Sequence, residues 1–223
     1  EINKILFQEG IEKGRLKSIF AIANEKKIIC QEVPKRKLDN STTERHQGVI
    51  AYVAPYSYFE LDEVVNNLEI NKDTTLLILD HIEDPHNLGA IIRTAEASGV
   101  KAIIIPKRRA AVVSQTAVKA SAGAIEHMPV IRVSNLTDAI KKLKEKGFWI
   151  AGTTLAERSE DYTKIAKDVP LAIVIGNEGE GMSKVVTNEC DFLYHLPMLG
   201  KIQSLNASVA AGIIMYERIK SND

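Results

Sequence analysis

The stretch DPHNLGAIIR (Asp84–Arg93) carries one arginine among small and apolar residues. At about 100° per residue, one side of the predicted helix is apolar and covers a sheet. That side comprises Leu88, Ile91, Ile92 and Ala95. Arg93 points the other way, and its neighbours are the small residues Gly89, Ala90 and Ala97. A guanidinium in this setting suits an anionic substrate or a partner chain, and the alternative is an ordinary solvated or ion-paired surface arginine.

A second stretch, IGNEGEGMS (Ile175–Ser183), follows an apolar run and contains Gly176, Gly179 and Gly181. Glycines permit positive φ and close approach, so backbone amides can face a ligand there. Glu178 and Glu180 would repel a phosphate, which favours a neutral or cationic ligand. Ser183 is placed to cap the next helix. The alternative is a tight strand-to-helix turn without a ligand.

The third stretch, Leu196–Ile219, joins a proline-glycine loop to a helix opened by Ser204, with Asn206 close behind. The helix is small or apolar almost all round, which predicts burial on more than one side. It meets either a partner subunit or the core of its own chain.

Six apolar runs alternate with helical patterns after residue 74, which predicts an α/β domain with a parallel sheet covered on both sides. The predicted strands are Thr75–Asp80, Ala102–Pro106, Met128–Val133, Phe148–Thr154, Leu171–Gly176 and Phe192–Pro197. In doubly wound sheets ligands bind beyond the carboxyl ends of strands. We therefore expect the site in the loops after Asp80, Gly152, Ile175 and Leu196.

A smaller α/β unit is predicted before that domain. Strands are expected at Ile2–Phe7, Lys27–Val33 and Gly48–Val53, and helices at Ile11–Glu25 and Leu61–Leu68. The polar stretch Asn66–Thr75 is the best linker. We expect a small domain at 1–68, truncated at its start, a linker at 69–74, and a large domain at 75–223.

Composition excludes several classes of protein. The 223 residues include 29 basic and 29 acidic side chains, so global charge points to no partner. Cys30 and Cys190 are isolated, no metal-ligand spacing occurs, and no apolar run is long enough to span a membrane. We expect a cytoplasmic protein without a metal. The absence of G-x-G-x-x-G and of G-x-x-x-x-G-K-[ST] argues against an ordinary dinucleotide or phosphate-loop site.

Together, the three stretches resemble the three motifs of the SpoU/TrmH family, which are DPHNLGAIIR, IGNEGEGM, and LPM followed by SLNASVA. This resemblance spans residues 75–220 in order and spacing. It implies a SPOUT domain with a trefoil knot that uses S-adenosyl-L-methionine (AdoMet) to methylate a ribose 2'-OH in RNA. It also implies a homodimer with its sites near the interface, and we expect the small-residue faces around Gly89, Ala90, Ala97, Ala207 and Ala211 to lie there.

The resemblance implies roles for individual residues by motif position. The polar catalytic positions are Asn87, Arg93, Glu178, Ser204 and Asn206. The cofactor-binding positions are Gly176, Leu196 and Leu205, with Gly152 and Thr153 closing the same pocket. In the family the motif arginine is proposed as the base. Because a guanidinium rarely gives up its proton, we expect Arg93 to stabilise the developing alkoxide and anchor a phosphate instead. Ser204 and Asn206 would orient the hydroxyl, and Glu178 would hold Arg93 or another donor, or cap a helix.

The amino-terminal unit, which ends in RHQGVIAYV (Arg45–Val53), resembles the ribosomal-protein-like RNA-binding domain of RlmB-type members. Those enzymes methylate a guanosine of 23S rRNA. Two basic patches, predicted to lie in loops, are candidate phosphate contacts. They comprise Lys35, Arg36 and Lys37 in the first domain, and Lys107, Arg108 and Arg109 in the second.

Three other functions compete with this interpretation. A tRNA ribose methyltransferase shares the three motifs but would not need this amino-terminal domain. A non-catalytic RNA-binding module is disfavoured by the intact motif residues. An oxidoreductase with an α/β cofactor fold is disfavoured by the missing glycine fingerprint.

Overall fold

The chain divides into two compact units, Glu1–Ser57 and Tyr58–Asp223. The computed structural model describes residues 2–11, 13–53 and 56–220. The sequence placed the boundary later, at residues 69–74. The structure differs because Leu61 and Val65 pack in the same core as Leu76. The helix that carries them therefore belongs to the second unit.

The first unit is a three-stranded sheet with helices. Its elements are β1 (Ile2–Gln8), a 3₁₀ turn (Lys13–Leu16), α1 (Lys17–Glu25), β2 (Ile29–Val33), α2 (Lys35–Asp39) and β3 (Val49–Val53). β1 lies in the centre, parallel to β2 and antiparallel to β3. The predicted strands are present, whereas the predicted helix Ile11–Glu25 is shorter, and residue 12 lies outside the described residues.

Alternation along β1 gives this small sheet two apolar faces. Ile5 and Phe7 pack with Ala23 of α1 on one face. Leu6 packs with Val33 and Leu38 on the other. The basic stretch predicted as a loop is instead the helix α2, in which Leu38 is buried against the sheet. Lys35, Arg36 and Lys37 are exposed on its surface.

The second unit contains a seven-stranded parallel sheet in the order β6-β5-β4-β9-β7-β10-β8. Its strands are β4 (Thr75–Asp80), β5 (Ile103–Pro106), β6 (Val130–Val133), β7 (Trp149–Thr153), β8 (Glu160–Asp161), β9 (Leu171–Gly176) and β10 (Phe192–His195). The predicted parallel α/β sheet is confirmed. The two-residue strand β8 was missed because it is too short to show a period.

Helices cover this sheet. They are α3 (Leu61–Asn66), α4 (Pro85–Ala97), α5 (Gln115–Ala120), α6 (Leu136–Glu145), α7 (Lys184–Asn188) and α8 (Ala207–Ile219). Two short 3₁₀ helices lie at Ala124–Glu126 and Tyr162–Lys164. All six residues of β4 are buried, which explains why the strand has no apolar-polar alternation.

The helix α4 lies very close to α5. A Cβ added at Gly89 would come within 2.5 Å of the Ala117 carbonyl oxygen and of Ala120 Cβ. Glycine at this position is therefore required by packing within the chain.

The two cysteines are unpaired. Cys30 is exposed, whereas Cys190 is buried and its pKa is raised by desolvation to about 12. Cys190 therefore acts as a small apolar side chain with an S–H donor. No helix in the described part of the chain is long and apolar enough to cross a membrane.

Candidate active site and cofactor cavity

Four neighbouring strands deliver their carboxyl ends to one edge of the sheet. The order β4-β9-β7-β10 aligns Asp80 with Gly176 and Thr153 with Tyr194. Loops that are distant in the sequence therefore meet at this edge, where ligands bind in open α/β sheets. The loops in which the sequence analysis predicted the site follow these four strands.

One carboxylate oxygen joins three of these segments. Glu178 Oε1 accepts hydrogen bonds from Asn87 Nδ2 at 2.8 Å, from Asn206 Nδ2 at 2.7 Å and from the Ala207 amide at 2.8 Å. Asn206 Nδ2 also donates to Asn87 Oδ1 at 2.9 Å. Three of the five predicted catalytic residues thus form one cluster.

Asn206 also begins α8. Its Oδ1 accepts from the amides of Ser208 at 3.0 Å and Val209 at 3.4 Å, which caps the helix. The sequence placed this helix start at Ser204. Ser204 instead lies exposed two residues before the cap, because Asn206 and the Glu178 carboxylate together satisfy the first amides of α8.

The glycine loop between β9 and α7 is fixed from within the chain. Asn177 Nδ2 donates to the His81 carbonyl at 2.9 Å, and Asn177 Oδ1 accepts from the Gly179 amide at 2.8 Å. The Ser183 amide donates to Asp80 Oδ2 at 2.7 Å, while Asp80 Oδ1 lies 2.5 Å from His81 Nδ1. Ser183 is the residue before α7, as predicted, but its hydroxyl makes no capping hydrogen bond.

A cavity of about 400 Å³ opens beside this loop. Its walls come from the ends of β7, β9 and β10 and from the start of α8. Apolar lining residues include Leu155, Met198 and Ala210, and the acidic ones are Glu178 and Glu180. This mixture suits a ligand that has an apolar part and a positive charge.

The cavity brings together most of the predicted cofactor residues. Thr153, Gly176, Leu196 and Leu205 line it, and so does Ser204 from the catalytic set. Gly152 does not. It is buried one residue earlier on β7, where an added Cβ would lie 2.5 Å from Met182 Cε and 2.8 Å from Cys190 Sγ. Its small size serves core packing beneath the cavity.

Arg93 lies exposed on α4, and its guanidinium has no hydrogen-bond or ion-pair partner among the described residues. The suggested contact with Glu178 is absent from the described part of the structure, because Glu178 is occupied by the two asparagines and the start of α8. Arg93 is therefore available to bind a group from outside the chain.

Three of the five small residues expected at a subunit contact are buried within their own chain, whereas Ala90 is half-buried and Ala97 is exposed, so a contact at these two stays a prediction. Gly89 packs against α5, and Ala207 and Ala211 are only 3% and 0% exposed within their own chain. The exposed apolar side of α8 carries Val209, Ile213 and Tyr216 instead. This side is available to a partner.

The basic patch of the second unit follows β5 directly. Lys107, Arg108 and Arg109 are exposed, and the Lys107 carbonyl accepts a hydrogen bond of 3.1 Å from Arg132 Nη2. Because β5 is parallel to β4, this patch lies at the same edge of the sheet as the cavity. The predicted loop is confirmed.

Two titratable residues of the cavity wall were not singled out from the sequence. Burial raises the pKa of Tyr194, whose hydroxyl accepts from the Ala166 amide at 3.1 Å. Its phenol is therefore neutral and already engaged. His195, directly before the LPM motif, also lines the cavity. Its place at the end of an apolar strand was the available signal.

Among the described residues, no group of three or more His, Cys, Asp and Glu could hold a metal ion.

Family models match almost the whole chain. The model of the SpoU rRNA Methylase family matches residues 74–216, and a model described as RNA 2'-O ribose methyltransferase substrate binding matches residues 1–59. The chain belongs to the SpoU methylase family of RNA methyltransferases.

Individual relatives agree with this family. The chain is 54% identical over 217 residues to a protein of Staphylococcus saprophyticus assigned to the TrmH family of tRNA/rRNA methyltransferases, covering 97% of this chain and 87% of that protein. It is similar to the crystal structure of an AdoMet-bound rRNA methyltransferase from Sinorhizobium meliloti, with a TM-score of 0.68, 28% identity, and coverage of 97% of this chain and 79% of that one. A TrmH/SpoU tRNA modifying enzyme of A. aeolicus matches with a TM-score of 0.61, 29% identity, and coverage of 71% and 80%.

The Glu178 cluster generates a stability prediction. Glu178→Ala should lower the free energy of unfolding by about 1–3 kcal/mol, because it leaves three donors without their shared acceptor. Glu178→Gln should cost less, since an amide oxygen still accepts. Urea denaturation measures both.

Glu180→Ala is the matched control. Its side chain has no hydrogen-bond partner in the described part of the chain, so its removal should change stability by less than about 0.5 kcal/mol. Equal losses in the Glu178→Ala and Glu180→Ala variants would contradict the role assigned to the cluster.

Proposed function

We propose that the chain is an AdoMet-dependent RNA ribose 2'-O-methyltransferase whose substrate is a guanosine of 23S rRNA. The observation that carries this proposal is the Asn87–Glu178–Asn206 cluster. It joins the three family motifs beside the cavity of about 400 Å³. The exposed Arg93 lies on the helix that also supplies Asn87 to that cluster.

The cavity residues fit AdoMet. Its volume lies within the range of about 300–1,000 Å³ typical of small-molecule sites. The sulfonium and ammonium groups are positive, and the carboxylates of Glu178 and Glu180 favour positive charge. Leu155, Leu196 and Leu205 supply apolar surface for the adenosine. The trefoil knot implied by the family resemblance stays a prediction about the path of the chain around this cavity.

AdoMet would supply an electrophilic methyl group, whose transfer to the 2'-oxygen leaves S-adenosylhomocysteine and releases the hydroxyl proton to solvent. The chain's own task is to hold the ribose 2'-OH in line and to stabilise charge on its oxygen. Arg93 suits that charge and the neighbouring phosphate, because its planar fork binds both geometries. Ser204, exposed at the cavity, orients the hydroxyl. Asn87, Asn206 and Glu178 are positioning residues, since their polar atoms hold one another.

Charge is divided unequally between the two units. Residues 1–57 contain ten basic and seven acidic residues, whereas residues 58–223 contain nineteen and twenty-two. The first unit is therefore the more favourable one for an RNA backbone. We assign phosphate contacts to Lys35–Lys37 on α2 and to Lys107–Arg109 after β5.

A second candidate is methylation of tRNA. The Staphylococcus relative is assigned to a tRNA/rRNA family, and the A. aeolicus structure is a tRNA modifying enzyme. The match of residues 1–59 to a substrate-binding model favours rRNA through the RlmB resemblance. Incubation with labelled AdoMet and either rRNA or tRNA, followed by mapping of the methylated ribose, tests both candidates.

The reaction assignment predicts the effect of a deoxynucleotide. An RNA that carries a single 2'-deoxy residue at the mapped position should bind normally but accept no methyl group, because the nucleophile is missing. Filter binding and methyl transfer from labelled AdoMet measure the two properties. Methylation of a base in that strand would contradict the ribose assignment.

The patch after β5 predicts a separable RNA effect. Reversal of charge at Lys107, Arg108 and Arg109 should weaken RNA binding and reduce its salt slope by about 0.7–0.9 for each phosphate that the variant no longer neutralises. AdoMet affinity should not change, because the cavity does not include these residues.

A matched triple variant controls for net charge. Lys101→Glu, Lys146→Glu and Lys220→Glu change three exposed lysines near the opposite, amino-terminal edge of the sheet. RNA affinity that falls equally in both triple variants, or in neither, would remove the patch from the proposed RNA surface.

We also propose a homodimer that uses the exposed side of α8. Val209, Ile213 and Tyr216 are 49%, 36% and 50% exposed and occur at helical spacing. Apolar side chains so arranged fit a second copy of the chain. α4 packs on α8, where an added Cβ at Gly212 would lie 3.6 Å from Thr94 Cγ2, and we place Arg93, the residue before Thr94, near this contact.

The arginine role predicts a specific kinetic pattern. Arg93→Ala should reduce kcat by about 10²–10³ with little change in AdoMet affinity, because Arg93 acts on the RNA oxygen. Arg93→Lys should not restore activity, since an ammonium lacks the bidentate fork. Calorimetry with AdoMet and single-turnover methyl transfer measure the two effects.

Mixed subunits test the dimer. If Arg93 and Ser204 of one site come from different chains, heterodimers of Arg93→Ala and Ser204→Ala chains regain one intact site. Confirmed heterodimers without activity would place both residues of a site in one chain. An active monomer would exclude the interface altogether.

A further inference from the structure

His195 is the last residue of β10 and lies directly before Leu196, a predicted cofactor residue. It is half-buried and lines the cavity of about 400 Å³. None of the three motif assignments includes it. Its imidazole is the one histidine ring that the described residues place in this wall.

The tautomer of His195 follows from its neighbour. Ser159 Oγ lies 2.7 Å from the Ala156 carbonyl, 3.3 Å from the Ala156 amide and 3.1 Å from His195 Nδ1. A hydroxyl has one proton, and the carbonyl at the shortest distance can only accept it. His195 Nδ1 must therefore donate to Ser159. Neutral His195 then carries its lone pair on Nε2.

Charged groups surround the ring on the neighbouring elements. Asp161 of β8 is its register partner, and Arg158 of the preceding turn donates to the Thr187 carbonyl at 3.3 Å. Glu178 and Glu180 belong to the facing wall of the cavity. Hydrogen bonds from Thr163 lower the pKa of Asp161, against the opposing effect of desolvation, and the charge of Lys164 lowers it further.

We propose that neutral His195 contacts bound AdoMet through Nε2, as the acceptor of a hydrogen bond from an N–H or O–H group of the cofactor. Ser159 is the positioning residue that fixes the ring. This inference rests on the proposed function, because it takes the cavity to be the AdoMet site.

Two isosteric variants separate the ring nitrogens. Asparagine places its amide where Nδ1 lies and retains the Ser159 contact, whereas glutamine reaches the position of Nε2. By calorimetry, His195→Asn should bind AdoMet about tenfold more weakly, and His195→Gln should stay within about threefold of the wild type. Equal affinities in the two variants would overturn the Nε2 contact.

Ala210→Phe distinguishes failure of this inference from failure of the cavity assignment. Ala210 lines the cavity from α8, so a phenyl group there occupies ligand space. Lost AdoMet binding in Ala210→Phe with unaltered binding in both His195 variants would overturn only the role of His195. Unaltered binding in Ala210→Phe would overturn the cavity as the cofactor site, while circular dichroism confirms that each variant is folded.

Discussion

The carboxylate of Glu178 holds the site together. One oxygen receives hydrogen bonds from α4, from the loop before α8 and from the first amide of α8. A charged acceptor makes each of these bonds stronger than a neutral one. Loss of this acceptor would remove a hydrogen-bond partner from the side-chain amides of Asn87 and Asn206 and from the backbone amide of Ala207. The polar cluster therefore fixes how the three motif segments meet.

The strand order makes that meeting possible. β9 lies between β4 and β7, although many residues separate them in the chain. Their carboxyl ends align in register, so the loops that follow them share one edge. Asn177 and Asp80 then anchor the glycine loop to the end of β4. The cavity has a defined shape because these hydrogen bonds between side chains and the backbone hold its wall.

The motif residues fall into two groups that differ in the hydrogen bonds of their side chains. Asn87, Asn206 and Glu178 have polar atoms that are engaged with one another, which makes them parts of a scaffold. Arg93 and Ser204 are exposed, with no such partner among the described residues. A side chain that acts directly on an RNA ribose must be free to exchange its contacts with water for contacts with the substrate. The proposed direct roles therefore belong to the second group.

Local sequence patterns were sufficient for the parallel α/β class, for the strands that carry the site and for the family to which the motifs belong. Apolar runs such as Leu171–Gly176 are local signals, because a strand buried on both faces must be apolar throughout. The sequence did not predict which motif residues contact one another, and only the tertiary structure shows these contacts. In the folded chain α8 begins after Asn206 and not at Ser204, and His195 lines the cavity. Three small residues that were expected at a subunit contact are buried within the chain: Gly89, Ala207 and Ala211. These outcomes depend on contacts between distant segments, which local periodicity does not encode.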